Sequence, residues 1–303
     1  MIVLIYQKIT QQVFGGRILP FGSFMNNILK LVSSPIGNLK DLSLRGREYI
    51  LDSDCLVCED TRETKKLLDL LKIDYSDKVF IAFHEHNQNE VSKLVERVLS
   101  FTNPLLLSDA GSPILSDPGY PFIKEWLSRG GQLSGAPGVN SVVSALELSG
   151  LPPVPFKFHG FLSKKDVAKR NFFESSEGGV THIFFESPYR VKNTIDCLFS
   201  ILPKANVCIA RELTKKFEEL TRFDSNQWFS EIKVGLKSKG EHVILFHNKI
   251  DNLKKELNLG KLELLANDYL GRPSPKKLAK LISEITHSDI SDTYNLLNKN
   301  KGS

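Results

Sequence analysis

Four short apolar runs, each ending abruptly in polar and turn-forming residues, set the rhythm of the first half of the chain. Ile28–Ser33, Cys55–Cys58, Val79–Phe83 and Pro104–Leu107 have the length and composition of buried strands. They end in SSPIGN, EDTR, HEHN and SDAGSP. Between them, apolar residues recur at helical spacing. Leu42, Leu44, Tyr49 and Ile50 fit one helix, with Asp41 as its expected N-cap, and Leu67, Leu68, Leu70 and Leu71 form the apolar side of the next. Val91, Leu94, Val95, Val98 and Leu99 follow the i, i+3, i+4, i+7, i+8 pattern closely. A further helix begins just after Pro118, carried by Phe122, Ile123, Trp126 and Leu127. This alternation predicts an α/β fold with a largely parallel sheet and helices on its faces. The polar strand ends then converge on one edge, where open α/β sheets bind ligands.

The fourth of these ends stands out, because Asp109, Gly111, Pro113, Asp117, Pro118 and Gly119 exceed what an ordinary turn needs. A fifth turn, Gly135–Ser141, leads into a helix through Leu148. Three prolines in Pro152-Pro153-Val154-Pro155 then end any helix and mark the best domain boundary, at 150/151. Beyond it, Phe156–Leu162, Thr181–Phe185, Asn206–Ala210 and His242–Phe246 read as strands, with helices around Arg190–Leu202 and Gln227–Lys237. The Glu212–Asn226 connection allows antiparallel pairing. The expected organisation is an extension over 1–27, α/β domains over 28–150 and 151–250, and a small helical appendix over 251–303.

Composition narrows the function. The chain has 303 residues, is 41% hydrophobic and 25% charged, and carries a net charge of +5, so any nucleic-acid surface must be a local patch. Four cysteines suit a reducing compartment, and Cys55 and Cys58 fall on one strand with opposite orientations, against a metal or redox pair. No apolar run approaches the roughly 18 residues of a membrane span. Residues 1–27 lack a clear signal-peptide pattern and read as a dispensable extension.

The turns also exclude chemistry. SSPIGN has one glycine, so there is no G-x-G-x-x-G, and the P-loop motif is absent, which argues against a dinucleotide or nucleoside triphosphate. A G-x-S-x-G elbow is missing. His84-Glu85-His86 is the densest metal-like set and reads better as a hydrogen-bonded cleft wall, so no metal site is expected. A nucleoside cofactor without phosphate remains, and small-residue loops with Asp109 suit a cationic one.

Seven stretches, SSPIGNLKDLSLRG, CEDTRETKKLL, FHEHN, SDAGSPILSDPGY, FFESPYR, ARELTKKFEE and KGEHVIL, occur in an order and spacing that resemble a known family. It is the 16S ribosomal RNA cytidine 2′-O-methyltransferase branch of the tetrapyrrole methylase superfamily, and the resemblance spans about Leu29 to Phe246 plus the helical tail. It implies two α/β domains with S-adenosylmethionine in the cleft between them, a cytoplasmic homodimer, and methylation of a decoding-centre cytidine ribose in the 16S rRNA of the small ribosomal subunit. The family's cofactor loops fall on Pro35 and Gly37, on Asp109, Ala110, Gly111, Ser112, Pro113 and Ser116, and on Pro137, Gly138 and Ser141. In the second half they fall on Glu186, Ser187 and Pro188, on Glu212 and Leu213, and on Gly240. The chain departs from the family at GAPGVNS, where Asn140 and Ser141 are polar replacements, and mildly at Ser112 and Ile114.

A ribose hydroxyl is a poor nucleophile and needs an acceptor for its proton. Glu59, Asp60, His84 and Glu186 end strands near the expected cleft; Glu59 or Asp60 would orient the hydroxyl, and Arg62 would hold a phosphate or the carboxylate. The bland alternative for Glu59 and Asp60 is a helix cap with a salt bridge to Arg62. For RNA, Lys157, Lys164, Lys165, Lys169 and Arg170 make a basic stretch just after the interdomain linker, which could equally be a solvated helix face. A small-molecule tetrapyrrole methylase would want a wide apolar cleft without that stretch, and a non-catalytic ribosome-binding factor would not bind the cofactor.

Overall fold

The apolar runs form strands because each packs apolar side chains on both faces, completely in Cys55–Cys58 and Pro104–Leu107 and partly in the other two. In the computed structural model, which describes residues 27–84, 90–116, 119–237, 239–249, 274–286 and 289–299, the first sheet has five strands. These are β1 (Ile28–Val32), β2 (Cys55–Cys58), β3 (Val79–Ala82), β4 (Pro104–Leu107) and β5 (Gln132–Ala136), all parallel, in the order β3-β2-β4-β1-β5. Alternation along β2 sends Cys55 and Val57 to one face and Leu56 and Cys58 to the other. Helices α1 (Leu44–Asp52) and α2 (Thr61–Leu71) cover the second of these faces through Ile50 and Leu68. Helices α3 (Val91–Val98) and α4 (Gly119–Ser128) cover the first through Val95, Val98, Phe122 and Trp126. Burial pushes the Cys55 thiol up to about 12 and that of Cys58 to about 11, so neither is a thiolate at neutral pH.

A mixed second sheet follows, in the order β6-β7-β10-β8-β9. Its strands are β6 (Phe156–Phe161), β7 (Thr181–Glu186), β8 (Asn206–Arg211), β9 (Glu219–Phe223) and β10 (His242–His247). β6 runs parallel to β7, and the remaining pairs are antiparallel. Helix α5 (Ser141–Ser149) lies on one face, burying Val142, Ala145 and Leu146 against Ile183, Cys208 and Leu245. Helices α6 (Asp166–Glu174) and α7 (Val191–Ile201), with Trp228, fill the other. Arg222 on β9 donates to the carbonyls of Ser149, at 2.9 Å, and Leu148, tying down the end of α5. The helix before the 150/151 boundary therefore packs on the second sheet.

The two sheets belong to one compact unit, and a second unit holds residues 176–180, 248–249 and the described residues from 274 on. In the latter, α8 (Pro275–Thr286) and α9 (Ile290–Lys299) pack through Leu278, Ala279, Ile282 and Leu297. Residues 1–26, and Glu85 and His86 of the HEHN turn, lie outside the described residues, as do Asp117, Pro118 and 250–273. Among the described residues no helix is long and apolar enough to cross a membrane.

The strands Gln132–Ala136 and Glu219–Phe223 are not expected from the sequence, and two side chains differ from the expectation. Asp41 does not cap α1: it sits in the short 3-10 turn Leu39–Asp41, and Ser43 caps the helix by accepting the Gly46 N–H at 3.1 Å. Lys169 is not exposed. Its side chain is buried against α7 with its ammonium 3.4 Å from Asp166, because residue 169 shares the inward face of α6 with Phe173.

Candidate functional site

β1 and β4 are neighbours at the centre of the first sheet, and their connections leave in opposite directions, toward β2 and toward β5. That is a topological switch point, and it opens a crevice at the strand ends. The two turns there are stitched together. Ser34 and Gly111 exchange both backbone hydrogen bonds, at 2.8 and 2.9 Å. Buried Ser34 donates its hydroxyl to the Ser108 carbonyl at 2.6 Å, and Ser108 donates to the Gly111 carbonyl at 2.8 Å. Gly111 completes this arrangement at φ +77°, where a side chain is disfavoured. Pro35 and Pro113 are buried beside the stitch, while Ala110 is exposed and Ser112 half-buried.

Asp109 follows β4 directly, and its Oδ1 accepts the Asp60 N–H at 3.3 Å, which joins the β4 and β2 ends. Desolvation on its protein side raises its carboxyl above the usual carboxylate value. Asp60 is the opposite case. It caps α2 by accepting the Arg62 N–H at 2.8 Å and pairs with the Arg62 guanidinium at 2.7 Å, which holds its carboxyl far below the usual range. The cap-plus-salt-bridge alternative thus describes Asp60. Glu59 and His84, at the ends of β2 and β3, are half-buried.

At the end of β5, Pro137 and Gly138 are exposed, and a Cβ on Gly138 would lie 2.9 Å from that of Ser33. Asn140, a departure from the family pattern, has a local purpose. Its Oδ1 accepts the Val142 N–H at 2.9 Å and caps α5, leaving Ser141 as the first helical residue.

The second sheet supplies the facing turns. A Cβ on Gly37 would meet the Lys215 side chain at 2.3 Å and Thr214 Oγ1 at 3.0 Å, so the β1 turn lies against the β8 turn. Glu212 accepts the Glu241 N–H at 2.9 Å and Lys215 Nζ at 3.2 Å. Gly240, at φ +97°, comes so close that an added Cβ would be 2.6 Å from Glu212 Cγ. The ARELTKK and KGEH motifs are therefore interlocked, and Leu213 is buried between them and α5. Glu186 is fully buried and fully engaged. It accepts the Ser187 N–H at 2.8 Å and the Thr194 hydroxyl at 2.7 Å, and pairs with Arg190. The carboxylate braces the turn that presents Ser187 and Pro188, both half-buried.

Non-glycine residues at positive φ mark the same region. Lys72 is a helix C-cap, where this conformation is routine, but Ser116, Glu212 and Thr214 sit in the turns just described. Sequence reasoning missed Thr214, Ser34 and Ser108, for which no local signal exists. A cavity of about 400 Å³ opens between α5 and the β8 turn, lined by Leu213, Thr214, Val139 and the carboxylates of Asp41, Glu147 and Glu218. Its size suits a small molecule. Asp41 Oδ2 and Thr214 Oγ1 are buried there with no hydrogen-bond partner. Of the first sheet, the β5 turn contributes Val139 to this lining, whereas the ends of β2, β3 and β4, Asp109 included, lie outside it.

The fold with this crevice is that of a methylase. Residues 29–227 match the family model of tetrapyrrole (corrin/porphyrin) methylases, and the chain belongs to that family. Among solved structures it superposes on a diphthine synthase with a TM-score of 0.54 at 14% identity, covering 73% of this chain and 90% of that one. On a cobalt precorrin-4 methyltransferase the TM-score is 0.50, also at 14% identity, over 76% and 98%. Curated relatives narrow the branch. A ribosomal RNA small subunit methyltransferase I of Vibrio cholerae is 37% identical over 85% of this chain and 90% of its own length. Proteins of the same name are 36% identical in Halalkalibacterium halodurans, over 75% and 78%, and 39% identical in Bacillus subtilis, over 64% and 66%. Within the tetrapyrrole methylases, the chain belongs to the small subunit methyltransferase I family, and it is a methyltransferase that uses S-adenosylmethionine.

Proposed function

We propose that this protein methylates the ribose 2′-hydroxyl of a decoding-centre cytidine in the 16S rRNA of the small ribosomal subunit, as a cytoplasmic homodimer. The observation that carries the reading is the Vibrio cholerae relative, a ribosomal RNA small subunit methyltransferase matched over 90% of its length. The stitched crevice and its facing turns support it.

The residues fit a cationic nucleoside. Asp109 offers a partly desolvated carboxylate, the stitched glycine turn brings backbone close to the crevice, and Asp41 and Thr214 hold unbonded polar atoms beside Leu213. In this reading Pro35, Gly37, Asp109–Pro113, Pro137, Gly138, Ser187, Pro188, Leu213 and Gly240 hold S-adenosylmethionine. Bound there, its sulfonium supplies an already activated methyl group, so the protein's task is alignment and exclusion of water. Glu59 accepts the ribose proton. Asp60, kept ionised by Arg62, is a weaker base and instead fixes the β2 turn.

Lys164 and Lys165 are exposed and follow β6 directly, whereas Lys169 is buried and Arg170 pairs with Glu174 at 3.1 Å. Two lysines therefore remain of the basic stretch's helix end. Replacing both with alanine is expected to weaken RNA binding and reduce the slope of log affinity against log salt by about 1 to 2. An unchanged slope in filter binding would assign the phosphates to another face. The dimer is checked by light scattering, where a mass near twice 34.1 kDa is expected and a monomer would remove that part of the reading. The reaction is tested by incubating the purified protein with methyl-labelled S-adenosylmethionine and small subunits from cells lacking it. Label in the RNA supports the proposal; cofactor binding without transfer to any subunit RNA overturns it.

A further inference from the structure

β6 contains a device that an ordinary edge strand does not need. Phe158 stands opposite Ile183 on β7, but Phe161 stands opposite Phe185, so three steps on β6 match two on β7. On a regular strand, residues 158 and 161 would point to opposite faces. The extra residue, at Gly160 with φ +63°, turns Phe161 back to the face of Phe158. Both rings then meet Phe185 edge-on, at centroid distances of 5.0 and 5.3 Å. This face of the second sheet also carries Ile36 of the β1 turn.

The bulge thereby fixes an aromatic ring that stays 65% exposed. Exposed apolar side chains are common, and Val167 and Val234 are others here. Phe161 differs in being aimed by a backbone irregularity and braced by a second ring. Its surroundings are those of the site. Ser116, from the β4 turn, approaches within 3.9 Å of the place a Cβ on Gly160 would occupy. Leu162 is buried and anchors the strand end, and exposed Lys164 and Lys165 follow.

We infer that Phe161 is a substrate-positioning residue whose ring stacks on a base of the RNA, beside the two lysines that meet its phosphates; this rests on the RNA reading above. An exposed aromatic ring braced by a second ring, with cations following it in the chain, is the combination that binds single-stranded nucleic acid, because every base has a π-face. Stacking would hold the nucleotide while its ribose faces the crevice. A duplex would keep its bases inside, so the segment bound here is unpaired or splayed.

The test uses the full chain. Phe161→Ala is expected to raise KM for small subunits roughly ten- to hundredfold while kcat changes far less, with cofactor affinity and melting temperature unchanged. Phe161→Trp should restore KM. Because Trp126 and Trp228 are the chain's two tryptophans and both are fully buried, the introduced indole would be the exposed one. Its fluorescence should be quenched by a 16S rRNA fragment, in step with binding measured on filters. An unaltered KM in Phe161→Ala, or RNA binding without quenching in Phe161→Trp, overturns the inference while leaving wild-type transfer to RNA intact. Absence of wild-type transfer overturns both this and the function it rests on.

Discussion

Replacing Asp109 by asparagine is expected to weaken S-adenosylmethionine binding roughly thirty- to several-hundredfold, and to lower methyl transfer at subsaturating cofactor in proportion. The change is nearly isosteric, and the asparagine oxygen can still accept the Asp60 N–H. What is lost is a negative charge facing a cation in a partly desolvated crevice, where such pairs contribute about 2 kcal/mol or more. Calorimetry with the cofactor measures the effect, and an unchanged melting temperature shows that the turn survives. The raised carboxyl of Asp109 adds a pH signature. Affinity should be full where Asp109 is ionised and fall as pH drops through its raised value, a decline Asp109→Asn lacks. Glu59→Gln is the contrast. It should bind cofactor normally and lose kcat by about 10²-fold or more, as expected for a missing proton acceptor. If Glu59→Gln turns over normally, the acceptor lies elsewhere.

Glu186→Ala should act on stability. Its carboxylate accepts from Ser187 and Thr194 and pairs with Arg190, whose side chain is 23% exposed. Removing it leaves three donors, one of them a cation, without their acceptor. Breaking a buried pair from one side costs about 3–5 kcal/mol. For a chain of this size that corresponds to a fall in melting temperature of roughly 6–15 °C. Glu186→Gln, which keeps the acceptor oxygen for Thr194 or Ser187, should lose less. The resemblance gave this residue to the cofactor; a large fall in Tm with cofactor affinity retained in the surviving fold would make it a brace. Reduced affinity at unchanged Tm would return it to the cofactor.

What could be read from the sequence follows from burial. β1 to β4 were legible because strands covered on both faces become uninterrupted apolar runs, and four such runs ending in polar turns imply one functional edge. β5 and β9 were missed for the complementary reason. QLSGA and ELTRF are edge strands, half-exposed and without an apolar run, and pairing with β1 and β8 defines them. The strand ends of the site were legible as well, but not their hydrogen bonding. Ser34 and Ser108 look like ordinary turn serines, and the bond joining them spans 74 residues. The burial of Lys169 was hidden because a lysine on an inward helix position reads as charge, not as packing.

The central claim is the identity of the acceptor atom, and one measurement addresses it. Small subunits from cells lacking the protein are methylated in vitro, and the 16S rRNA is digested to nucleosides and fragments for mass spectrometry. The expected result is a single 2′-O-methylcytidine, confined to one decoding-centre fragment and absent with Asp109→Asn at low cofactor concentration. A methyl group on a base, on another ribose, or on a small molecule in place of the RNA would contradict the account.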